Sequence, residues 1–333
     1  MLQGRPLLAT AADAQLFVDR AEELAQLERS VGRGFNVALH GERGVGKSSL
    51  LHQLELRQRE SRRVAYVEAT GVDDLPDLVD RVRTAVRGPT VAFQDAIQQA
   101  TNMPPAANVL AHPGVASSLL TDQVRSLRNA DPTLVLVDAS GSSEAAYGLF
   151  GRLRDELWQL DHRWVVAVDE LDWPHLQRPP ADAFFDITFY LRPLEEAELV
   201  KLLVRRDPGL NKLALAQIAQ RSEGNPRRAL EMARLALVED RPIDEIFNAR
   251  GMRELAAARI GRPSSMLLAE LENSGEPLSP SDEALLQRLG WTRERAGQVF
   301  RELEEAGIVD STQERQARGR PRKLYFPNPR YPS

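Results

Sequence analysis

The chain has 333 residues, 42% hydrophobic and 27% charged; this globular balance excludes disordered, collagen-like and coiled-coil classes, and at roughly 150 residues per domain it implies two or three domains. With no cysteine in the chain, a disulfide scaffold, cysteine-held zinc, an iron–sulfur cluster and thiol catalysis are excluded. The net charge of −5 rules out a uniformly basic nucleic-acid binder, although a global sum can conceal a local patch.

Five scattered histidines, His40, His52, His112, His162 and His175, have no ligand-like spacing. Residues 1–12 lack the apolar core and cleavage pattern of a secretory signal. No stretch approaches the ~20 apolar residues of a membrane span, and a cytoplasmic location is expected.

From Gly34 to Leu191, short apolar, β-branched runs alternate with amphipathic stretches, the pattern of a parallel sheet flanked by helices. It predicts strands over residues 35–39, 64–68, 133–137, 164–168 and 187–191, and helices over about 46–58, 75–86 and 143–160. The Ala-, Gln-, Asn- and Pro-rich segment of about 87–131 is too long for a plain connection and reads as a partly helical insertion. After Leu194 the strand signal gives way to helical periodicity, broken at Asp207-Pro208-Gly209 and Gly224-Asn225-Pro226. The expected domains are an α/β domain over 1–192, a helical domain over 193–250 and a third over 255–333.

Gly41-Glu42-Arg43-Gly44-Val45-Gly46-Lys47-Ser48 has the spacing of a phosphate-binding loop. A strand delivers the chain to Gly41, and Ser48, Ser49 and Leu50 open an apolar helix. Backbone N–H groups and the helix dipole would cradle phosphate oxygens. Lys47 would bridge the terminal phosphates, and Ser48 would hold magnesium. The cofactors expected are ATP or ADP with Mg2+. A second magnesium-positioning group is needed at the end of a buried neighbouring strand, and Leu134-Val135-Leu136-Val137-Asp138 supplies Asp138.

Here the chain resembles the AAA+ ATPases, above all the origin-recognition and replication-initiator branch and the related signal-transduction ATPases. Phe17-Val18-Asp19-Arg20-Ala21-Glu22-Glu23-Leu24 is similar to that branch's opening motif; the resemblance makes Phe17, Val18 and Arg20 part of the adenine enclosure. Leu191-Arg192-Pro193-Leu194 resembles the start of the helical lid, and Gly224-Asn225-Pro226-Arg227-Arg228 its sensor-two motif, which implies that Arg227 touches the phosphates. Two departures concern catalysis. The family's glutamate after the magnesium aspartate is Ala139 here, and the tip of the fourth strand carries Asp169-Glu170 in place of a polar sensor. Either carboxylate could orient water, or both could be solvated acids. No arginine finger precedes the fifth strand, Arg178 being the nearest arginine. A positioned base is worth about 10²–10⁴ and an arginine finger roughly 10³–10⁵, so hydrolysis is expected to be slow or absent, with nucleotide acting as a conformational switch.

Beyond Arg262-Pro263, helices are predicted over 263–272, 281–289 and 293–305, with Thr292 as an N-cap, followed by a hairpin. This order resembles a winged helix-turn-helix domain. It implies that the third helix, with Arg293, Arg295, Gln298 and Arg301 exposed, enters the major groove of double-stranded DNA. The hairpin carries Arg315, Arg318, Arg320, Arg322 and Lys323. From Thr312 onward six cations face the single acid Glu314, a surplus suited to phosphates. Two alternatives stay open: a signalling or defence regulator whose C-terminal domain binds a protein partner, and an oligomeric helper ATPase for a transposase or nuclease.

Overall fold

The computed structural model describes residues 5–70, 72, 74–88, 113–207, 209–238, 243–314, 322–329 and 331. The chain divides between Arg192 and Pro193 into two compact units.

In the first unit, β1 (Val37–Gly41), β2 (Arg63–Glu68), β3 (Thr133–Asp138), β4 (Arg163–Asp169) and β5 (Ile187–Tyr190) form one parallel sheet in the order β2-β3-β4-β1-β5. The expected α/β class is the observed one. β3 and β4 are apolar on both faces because helices cover both. One face packs on α2 (Ala21–Gly32) and α3 (Lys47–Gln58), through Leu24, Leu27, Leu50 and Leu54. The other meets α4 (Leu75–Arg87), α5 (Pro113–Arg125), α6 (Ser143–Tyr147), α7 (Arg154–Leu157) and α8 (Trp173–Leu176) around Val79, Leu149, Phe150 and Trp164. α1 (Ala11–Leu16) precedes them, its N-terminus capped by Thr10.

Two expectations shift. β1 starts two residues late because Asn36 leaves the ladder: its side-chain oxygen accepts the Trp164 N–H at 3.2 Å, and its own N–H donates to Asp186 at 2.7 Å. The single helix expected over 143–160 is broken by a π turn, Gly148–Arg152, where Gly148 and Gly151 let Leu75 and Ala181 press against the backbone. Of the expected insertion, residues 89–112 lie outside the described residues, and its remainder contains α5.

The second unit opens with α9 (Glu196–Arg206), held by a capping box between Glu195 and Glu198. α10 (Lys212–Arg221) and α11 (Pro226–Val238) follow. α12 (Ile243–Ile260) continues through Gly251, since one glycine alone does not end a helix. α13 (Arg262–Ser274), α14 (Glu283–Leu289) and α15 (Arg293–Glu305) lead to the antiparallel pair β6 (Val309–Glu314) and β7 (Arg322–Pro327). Leu278 exchanges two backbone hydrogen bonds with Tyr325, of 2.9 and 2.7 Å, which adds a one-residue third strand. The core here is Leu267, Leu268, Leu271, Leu285, Val299, Phe300, Leu303, Ile308 and Tyr325, with Phe300 stacked on Tyr325 at 4.5 Å.

Glu272 on α13 lies almost out of water between two arginines of α12, 2.7 Å from Arg250 and 3.1 Å from Arg253, and Arg253 also donates to the Asn328 carbonyl at 2.7 Å. Burial pushes the Glu272 carboxyl up, and the two guanidinium groups pull it back. Removing one member of such a set leaves uncompensated buried charge, which costs about 3–5 kcal/mol. Glu272→Ala is therefore expected to lower the midpoint of thermal unfolding by several degrees; an unchanged midpoint would show that the arginines reach solvent.

Candidate functional site

β1 ends at Gly41, and α3 starts at Lys47 with Gly46 as its N-cap. Gly44 and Gly46 take φ of +88° and +107°, values that side-chain-bearing residues avoid, and the turn so formed sits at the positive end of the helix dipole. Val45 is buried under the loop, and Phe17 lies half-buried against the same apolar cluster, with Val18 also buried. Arg20 is itself buried and in the left-handed region; it reaches the Val45 carbonyl at 3.4 Å and pairs with Glu23 at 2.9 Å. Ser49 accepts the Leu7 N–H at 3.0 Å, tying the segment before α1 to the loop helix. Gly41 through Ser49, including Glu42 and Arg43, thus form one continuous loop and helix start.

The Lys47 ammonium is 4% exposed and has three partners: the carbonyls of Gly41 and Glu42, both at 2.9 Å, and the Asp169 carboxylate at 2.7 Å. Strand register makes the last contact, since Asp169 at the end of β4 lies directly opposite Gly41. Glu170, one residue on, is exposed and donates its N–H to the Gly41 carbonyl at 2.9 Å. Of the two acids at the β4 tip, only Asp169 touches the loop lysine.

Asp138 ends β3 opposite Ala167 and is buried. Its carboxylate takes hydrogen bonds from the Ser48 side chain, from Ser140 at 3.0 Å and from Tyr66 at 3.4 Å. Burial raises the carboxyl above its ordinary range, and the serine hydrogen bonds oppose the rise. Ser48 hydroxyl and Asp138 carboxylate together are the oxygen donors that magnesium prefers, and a divalent cation would relieve the buried charge. Among the described residues, no group of three or more His, Cys, Asp or Glu side chains is placed to hold a metal. Ser48 and Asp138 are thus two oxygen donors, a partial set for such a cation. Ala139 is fully buried, its N–H bonded to the Ala167 carbonyl at 2.8 Å.

Tyr66, His52 and His40 are neighbours that no motif in the sequence marks. Tyr66 on β2 stacks on His52 at 4.0 Å, and His52 is held by Glu55 at 3.0 Å; this orients the phenol that donates to Asp138. Burial, with Asp138 and Glu68 nearby, pushes that phenol's pKa up. His40, beside Gly41, lies between Trp173 at 4.8 Å and Tyr190 at 5.2 Å, with Nδ1 buried and unpartnered. Burial first, and Lys47 second, depress its pKa. Arg178 is half-exposed, bonded to Glu144 and His175 and lying over the Tyr147 ring.

In the second unit, Gly224 (φ +78°) turns so tightly that a Cβ would come within 2.5 Å of the Leu194 carbonyl, and α11 then begins with Arg227 in its first turn. The Arg227 guanidinium is 3.4 Å from the carbonyls of Asn273 and Ser274, at the end of α13. Arg293, Arg295, Gln298 and Arg301 are all exposed on α15; Arg295 donates to Gln298 at 3.3 Å, and Gln298 to Glu302 at 3.0 Å. Arg322 pairs with Asp282, and Lys323 pairs with Glu304 at 2.7 Å. Arg315, Arg318 and Arg320 lie outside the described residues.

The raised Asp138 carboxyl has a measurable sign. The native state holds this proton to higher pH than the unfolded chain, so the stability that protonation contributes is lost as pH climbs from the unfolded value of about 3.9 through the raised native value. Asp138→Asn is expected to flatten that stretch of the pH–stability curve and to raise the melting temperature of nucleotide-free protein at neutral pH. Identical curves for the two proteins would contradict a buried, strained carboxylate.

No family model matches the chain, and no curated protein matches it in sequence. Among solved structures it is similar to the Aeropyrum pernix ORC1 protein in complex with DNA, at 18% identity and a TM-score of 0.45 over 97% of this chain and 90% of that one. It is similar to Cdc6p from Pyrobaculum aerophilum at 16% identity and a TM-score of 0.49, over 95% and 93%. The RuvB Holliday junction branch migration motor of Thermotoga maritima is similar at 18% identity and a TM-score of 0.42, over 96% and 95%.

Proposed function

We propose that this chain is a AAA+-type protein that binds ATP or ADP with magnesium at the Gly41–Ser48 loop and uses the nucleotide as a switch for double-stranded DNA binding. One observation carries the nucleotide reading: the loop joins a strand end to a helix start, with the buried Lys47 and the Ser48–Asp138 pair meeting at the strand tips. In this reading loop N–H groups and Lys47 take the phosphates, and Phe17, Val18 and Arg20 border the base. Ser48 and Asp138 hold magnesium, which neutralises phosphate charge. Arg227 keeps the phosphate-sensing role that the resemblance implies. Hydrolysis is slow or absent, because Ala139 follows Asp138 and Asp169 is engaged with Lys47.

The DNA reading rests on the order helix, single-residue strand, helix, helix and hairpin from α13 to β7, which supports a winged helix-turn-helix with α15 as the recognition helix. Its free cations are Arg293 and Arg301; Arg322 and Lys323 are engaged by Asp282 and Glu304. Those two pairs also favour a second reading, in which the same module binds a protein partner and the chain is a nucleotide-switched regulator.

Titration calorimetry tests the first half: Lys47→Ala is expected to abolish the heat of both ADP and ATP binding. Salt-dependent DNA binding tests the second. Each lost phosphate contact lowers the slope of log K against log salt by about 1, so Arg293→Ala with Arg301→Ala should flatten it by about 2. An unchanged slope would leave the protein-binding reading.

A further inference from the structure

A lysine ammonium has three donors, and all three of Lys47 are engaged, two by loop carbonyls and one by Asp169. A phosphate-loop lysine serves the β and γ phosphates of a bound nucleotide, whereas the backbone N–H groups of the loop wrap the phosphates at the helix start. The two carbonyls belong to the loop and move with it. The Asp169 carboxylate comes from a different strand, 122 residues away, and is the one charged competitor for the ammonium among its contacts.

We infer that Asp169 is a specificity-determining residue of this nucleotide site and makes it select a nucleoside diphosphate over a triphosphate. This rests on the nucleotide-binding reading above and adds to it which nucleotide is preferred. Two acceptors that share one ammonium sit roughly 4–5 Å apart. A third phosphate bonded to Lys47 would therefore bring its negative charge that close to the Asp169 carboxylate, at a position where little water screens it. A diphosphate brings only its β phosphate to Lys47, where the loop N–H groups that wrap it offset its charge, and it adds no γ phosphate beside Asp169. The Asp138 carboxylate does not share this role, since its hydrogen bonds come from Ser48, Ser140 and Tyr66 and it lies beside the expected magnesium.

The experiment is titration calorimetry of the full chain, in the presence of magnesium, with ADP and with a triphosphate whose β–γ bridge is a non-hydrolysable imido group. Wild type should bind the diphosphate at least about tenfold more tightly, the scale set by one like-charge contact at this range in a partly shielded site. Asp169→Asn should bring the two affinities within about threefold by tightening the triphosphate, because the amide keeps an acceptor for Lys47 without the charge. Asp169→Glu, which keeps the charge, should keep the preference. The inference is overturned if wild type binds the triphosphate as tightly as the diphosphate, or if both nucleotides bind Asp169→Asn in the wild-type ratio. Should that variant not fold, the wild-type ratio decides. Absence of heat from either nucleotide in wild type is a different result, and it removes the nucleotide reading itself.

Discussion

A buried ammonium group must have every donor satisfied, and the tips of the parallel sheet are arranged around that requirement at Lys47. Water cannot supply the partners at 4% exposure, so the protein does: two carbonyls from the loop and one carboxylate from β4. The β1–β4 register brings Asp169 opposite Gly41, and this pairing decides which acid meets the cation. Because β4 stands between β1 and β3, Asp138 takes its hydrogen bonds from the side chains of Ser48, Ser140 and Tyr66 and from the Ser140 N–H, and not from the lysine. One carboxylate is balanced from inside the fold. The other is placed where a cation from outside would balance it.

The second unit treats charge by the same logic. Its tail carries a clear surplus of cations in sequence, yet Arg322 and Lys323 are matched by Asp282 and Glu304, and Arg288 on α14 by Glu270 at 2.9 Å. Glu272 ties α12 to α13 through Arg250 and Arg253, and Arg253 continues to the Asn328 carbonyl just after β7. The hairpin is thus fastened to the helices by ionic contacts as well as by the stacked pair Phe300 and Tyr325. What remains for a polyanion, among the described residues of this module's basic face, is α15, where Arg293 and Arg301 are exposed and Arg295 and Gln298 form a bonded chain ending at Glu302.

Local chemistry was legible. Glycine spacing located the Gly41–Ser48 turn between β1 and α3, β-branched runs located the strands to within about two residues, and the Thr292 cap with the buried positions Ala296, Val299, Phe300 and Leu303 located α15. Other features left a weak local signal or none. Asn36 delays β1 through a side chain that imitates a ladder partner. The π turn at Gly148–Arg152 answers to Leu75 and Ala181, side chains from other elements. Tyr66 reads as an ordinary strand residue, and only the neighbouring β3 turns its hydroxyl toward Asp138.

The sequence by itself determined that a strand, a glycine-rich turn and a helix would present Lys47 and Ser48, because backbone conformation and periodicity act over a few neighbouring residues. It also determined a helix-rich second half ending in a hairpin. Only the tertiary structure decided that Lys47 pairs with Asp169 and not with Asp138, that Glu170 stays in solvent, and that Arg322 and Lys323 are already matched. Those outcomes depend on strand order, register and the meeting of side chains up to 122 positions apart, and a Coulomb contact exists only once the fold has brought its two charges together.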